Sequence, residues 1–156
     1  MQTVSGWVIP LVAATLVASG NFIVQRWRHQ IDRIGLSVDH LCTELNSAAD
    51  LATRYWLLDA TQDSDRPEVR RLEPQLVGRQ MRLQELAIAL GEQDRNLGLA
   101  EFERLMPDLY EVMTGGDFHV ERRAPSPERA QRVQAIAARL TGQLRRSLGV
   151  RSRRRW

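Results

Sequence analysis

Residues 31–55 read IDRIGLSVDHLCTELNSAADLATRY, with apolar or small residues at Ile31, Ile34, Val38, Leu41, Leu45, Ala48, Ala52 and Tyr55. Steps of three and four alternate, which keeps one helical face apolar for more than three heptads. A strand would scatter these side chains to both faces, because its period is two. The stretch predicts a helix with a coiled-coil-like seam. Followed backwards, the same phase meets Trp27, Val24, Gly20, Val17, Ala13, Pro10 and Gly6. The first helix is therefore expected to be nearly continuous to about Leu58, with Gly35 as its weakest point.

The upstream end of that helix has a different solvent. From Val4 to Gln25 there is no charged residue, and the first charges form a basic cluster of Arg26, Arg28, His29 and Arg33. Twenty-two helical residues extend about 33 Å, against a hydrocarbon core of about 30 Å. Trp7 and Trp27 would each fall near a headgroup layer. Residues 1–28 are thus read as a transmembrane anchor, single-pass, in the cell (inner) membrane. Basic residues after the apolar run put the amino terminus outside and the bulk in the cytoplasm. Gly6, Ala13 and Gly20 stack on one face and would let membrane helices pack closely, although small residues are also simply common in anchors.

Two rivals stand beside the anchor. Small residues near Leu16–Gly20 would suit a cleaved signal, but positions 1–7 hold no Arg or Lys for its positive start. Ser5, Pro10, Thr15, Ser19 and Asn21 moderate the apolarity enough for a buried helix of a soluble bundle.

Downstream, the periodicity stays helical. Asp59–Pro67 is a turn-rich break in which Ser64 or Asp65 can cap a second helix, with Pro67 in its first turn. That helix should run to about Leu90 with Val69, Leu72, Leu76, Leu83, Leu86 and Leu90 inward, Pro74 delaying its start, and Gly91–Gly98 turning the chain. A third follows through Phe102, Leu105, Leu109 and Met113, perturbed by Pro107 and stopped by Gly115–Gly116. Ser126-Pro127-Glu128 opens a fourth, through Ala130, Val133, Ile136, Ala137, Leu140 and Leu144 to about Leu148. The expected fold is all-α: an N-terminal single transmembrane helix continuing into an antiparallel up-and-down four-helix bundle, with residues 29–148 as the cytoplasmic bundle.

Charge is distributed unevenly. All 22 basic residues are Arg, and the chain carries 19 acids and a formal charge of +3. Without Arg145, Arg146, Arg151, Arg153, Arg154 and Arg155, 16 arginines face 19 acids, a net of −3. That body is not the basic face of a dedicated DNA-binding domain. In an up-and-down bundle the chain ends on the membrane side, so the basic tail 149–156 would meet anionic lipid through Arg151, Arg153, Arg154 and Arg155, with Trp156 at the interface. A plain solubilising tail, or a grip on nucleic-acid phosphates with Trp156 stacking, are the other readings.

Chemical motifs are sparse. Arg33 and His40 form an Arg-x6-His spacing that resembles the Arg-x4–6-His pattern of HEPN-type ribonucleases. The resemblance implies a helical, dimeric nuclease in which His40 moves a proton and Arg33 stabilises developing phosphate charge. It lies on the first soluble helix instead of a late one, and Ile34 stands where a polar residue is usual; otherwise Arg33 joins the juxtamembrane cluster and His40 flanks the seam. Asp39, His40 and Glu44 lack the paired Glu-x-x-His motifs of a bundle metal site. Asp59, Asp63 and Asp65 lack the glycine and distal Glu of a calcium loop, which leaves capping. His119, near Glu121 and Arg122, sits in the longest loop. The lone Cys42 excludes an internal disulfide. Tyr55 and Trp56 would plug the far tip of the bundle, or meet a partner if exposed. No cofactor or metal is expected. These features together lead us to expect a non-catalytic scaffold or accessory protein that holds a partner or its own oligomer at the membrane, with a membrane-tethered HEPN-like ribonuclease or membrane-perturbing effector as the alternative.

Overall fold

A computed structural model describes residues 5–94, 97 and 99–153, with side chains described at 22, 25, 26, 29, 31–94, 97 and 99–150. Four helices and no strand occur among the described residues: α1 (Ser5–Leu57), α2 (Arg66–Gln93), α3 (Ala100–Thr114) and α4 (Pro127–Arg153). The chain divides into two compact units, Met1–Leu36 and Ser37–Trp156, and the boundary falls just after Gly35. In the first unit α1 is helical from Ser5, and Phe22, Gln25, Arg26 and His29 are exposed. Among the described residues no helix is long and apolar enough to cross a membrane. The anchor expected at residues 1–28 lies largely outside those whose side chains are described.

The second unit is an up-and-down bundle, as cross-helix pairs show. Arg54 meets Glu68, and Glu44 meets Arg79, which sets α2 antiparallel to α1. Tyr110 and Thr114 of α3 bond Gln80 of α2, while Gly91 approaches Leu99. Arg129–Glu111 and Arg139–Glu101 align α4 against α3. Gln134 bonds Asp50 and Thr53 of α1, and Arg145 bonds Cys42. Every neighbouring pair is antiparallel.

Burial follows the period read from the sequence. Ile34, Val38, Leu41, Leu45, Ala48, Ala52 and Tyr55 are wholly buried, and Ile31 half-buried. Val69, Leu72, Leu76, Leu83 and Leu90 form the inner row of α2, and Ala130, Val133, Ala137, Leu140 and Leu144 that of α4. Leu86 and Ile136, expected inward, are only half-buried because each sits at the edge of its apolar stripe.

The helices differ from expectation in five places. Pro74 does not delay α2, nor does Pro107 interrupt α3. A proline removes one hydrogen bond, and buried neighbours on both sides, Leu72 and Leu76, or Met106 and Leu109, hold the helix through the gap. Asp65 precedes α2 but makes no side-chain cap bond. Its carboxylate instead accepts the Asp59 N–H at 3.2 Å and the Ser64 hydroxyl at 3.1 Å. Gly91 stays helical, since the Asp94 N–H still reaches the Leu90 carbonyl at 3.1 Å. Finally, α4 runs on to Arg153, so the segment read as a tail from residue 149 begins as helix.

Gly78 lies exposed in mid-α2, and a Cβ there would meet nothing within 4 Å. Gly78→Ala should therefore stabilise the bundle by about 0.5–1 kcal/mol, through lower unfolded-state entropy and better helix propensity. Thermal unfolding followed by circular dichroism would register a higher Tm; an unchanged or lower one would contradict a regular helix at this point.

Candidate functional site

Two places in the second unit concentrate unusual chemistry, and the first is the far tip. There α1 ends with its last carbonyls unpaired within the helix, as every helix does. The Arg123 guanidinium donates to the Tyr55 carbonyl at 2.8 Å, and the Ser126 N–H donates to that of Trp56 at 2.7 Å. A cation suits the negative end of a helix. Arg123 is 4% exposed, and its guanidinium carbon lies 4.4 Å from the Tyr55 ring centre and 4.7 Å from that of Trp56. Arg129 adds a second guanidinium 4.3 Å from the Trp56 ring. The indole N–H donates to the Met113 carbonyl at 3.1 Å.

Tyr55 and Trp56 are 0% and 1% exposed. They plug the tip, and burial leaves neither ring a free face for the partner contact expected if they were exposed.

The loop above them is tied down by charge. His119 has φ of 70°, the left-handed region, and its Nδ1 lies 3.1 Å from Glu73 Oε2. Tyr55 donates its hydroxyl to Glu73 at 3.3 Å. Arg70 pairs with Glu121 at 3.0 Å, and Arg66 with Asp63 at 2.7 Å. A cavity of about 230 Å³ beside this network is lined by Arg66, Arg70, Glu73, His119 and Glu121 together with Val69 and Val120. Gly116, at φ of 59°, suits glycine: a side chain there would be strained, and its Cβ would sit 2.8 Å from the Arg129 guanidinium, which would have to shift. The tip is a structural knot made of residues that occur far apart in the chain.

The second place lies between α2 and α3. A groove of about 750 Å³ is lined by apolar groups that include Ile88, Leu99, Phe102, Met106 and Pro107. Among the described residues its polar lining is Gln84, Glu92, Asp94, Glu103 and the Tyr110 phenol. On α2, the large exposed apolar residues Val77, Met81 and Ile88 lead into it. Their spacing of four and seven forms a second apolar row, apart from the inner row of α2.

No family model, curated protein or solved structure matches this chain.

His40 is half exposed, with Nε2 3.7 Å from Glu44, whose carboxylate also meets Arg79 and Arg82. Arg33 is exposed and falls in the first unit, whereas His40 falls in the second. Asp59 is held below the usual carboxylate range by the Thr61 hydroxyl and N–H, so it braces its own turn. Among the described residues no three His, Cys, Asp or Glu side chains converge on a possible metal position. Cys42 lies in the core, where burial pushes its thiol up. Gly6, Trp7, Ala13, Gly20, Trp27 and Arg28 have side chains outside the described set, as do Arg151 and Arg153; Arg154, Arg155 and Trp156 lie outside it altogether.

The α2 row was legible as an excess of apolar residues: α2 has more of them than one face needs.

Burial at the groove pushes the Tyr110 phenol from 10 up to about 12. Between those values the unfolded chain loses this proton while the folded chain keeps it, so stability should fall as pH rises from 10 towards 12. Tyr55, also raised by burial, acts in the same direction. Tyr110→Phe should flatten this alkaline limb in unfolding midpoints compared across pH. An unchanged limb would mean that Tyr110 titrates freely.

Proposed function

We propose that the protein is a non-catalytic helical scaffold or accessory subunit, anchored in the inner membrane with its amino terminus outside, that holds a partner at the cytoplasmic face. The observation that carries the partner-holding role is the apolar row Val77, Met81 and Ile88 running into the α2–α3 groove. A bundle whose core is already filled leaves these side chains in water, and contiguous apolar surface of this kind marks interaction sites.

The membrane part rests on the uncharged run from Val4 to Gln25 and its basic flank. Exposed Phe22, at 65%, agrees with an apolar surrounding for that segment. Gly6, Ala13 and Gly20 would pack the membrane helix against a neighbour. The basic tail 149–156 would meet anionic lipid through Arg151, Arg153, Arg154 and Arg155. Each tail arginine there contributes about 1 kcal/mol at an anionic surface.

Alkaline carbonate extraction tests the anchoring: the full-length chain should stay with the membrane pellet. Its release with peripheral proteins would overturn the anchor. Native mass spectrometry of the solubilised chain should then show a second protein, or further copies, bound to it.

A further inference from the structure

We draw no further inference here: the strongest candidate, the exposed apolar row Val77, Met81 and Ile88 leading into the α2–α3 groove, belongs to the site already described, and nothing in the structure shows what covers it.

Discussion

Replacing Trp56 with alanine should cost about 3–5 kcal/mol of stability, the range for truncating a buried tryptophan. A small domain has about 5–15 kcal/mol in total, so the variant would be marginal at physiological temperature. Three losses coincide. The indole is 1% exposed at the tip and touches Tyr55 edge to face at 5.1 Å. Its N–H satisfies the Met113 carbonyl, which would be left buried without that donor. Arg123 and Arg129 would each lose an aromatic face. Trp56→Phe should cost less, because it keeps most of the volume and gives up the hydrogen bond. Chemical unfolding of the full-length chain checks both variants. A Trp56→Ala protein within about 1 kcal/mol of the parent would mean that the tip repacks, contrary to the tight interior expected of a core site.

Arg123→Ala is the second large effect, at about 2–4 kcal/mol. A charged hydrogen bond to a buried carbonyl contributes about 1.5–3 kcal/mol, and a desolvated cation–π contact about 2. Against these stands its Nε, which is buried with no hydrogen-bond partner among the described residues and carries a penalty of about 1–3 kcal/mol. The net is smaller than the gross, as for most buried charges. Arg123→Met separates the parts: it restores apolar contact with Tyr55 and Trp56 but cannot cap α1, so its loss should fall between zero and that of alanine. Equal losses for the two would assign the whole effect to the cap. Because the Arg123 carbonyl also accepts from Ala60, faster proteolysis at residues 115–126 should accompany the loss.

Several parts of this molecule were legible before any coordinates. The seam is buried from Ile34 to Tyr55, and the breaks at Asp59–Asp65 and Gly115–Ser126 lie between helices. Pro127 stands at the first position of α4, where its missing N–H would have been unpaired anyway. These are local facts, because a helix is written in steps of three and four and its ends in turn chemistry.

The remainder depended on contacts between distant residues. Nothing in the neighbourhood of Arg123 says that it will cap α1 sixty-eight positions away. Asp65 looked like a cap and became a brace, because Asp59 and Ser64 reach its oxygens first. Pro74 and Pro107 looked disruptive, yet packing outweighed one lost hydrogen bond in each case. The exposed row on α2 became visible only once the inner row was filled and α3 had left a groove beside it.

The sequence by itself determined four helices, their inward faces and the opening uncharged run, since each depends on residues within a turn or two. Tertiary structure alone decided which polar groups are buried and which apolar ones remain in water. Those outcomes depend on what the rest of the chain brings within a few ångströms.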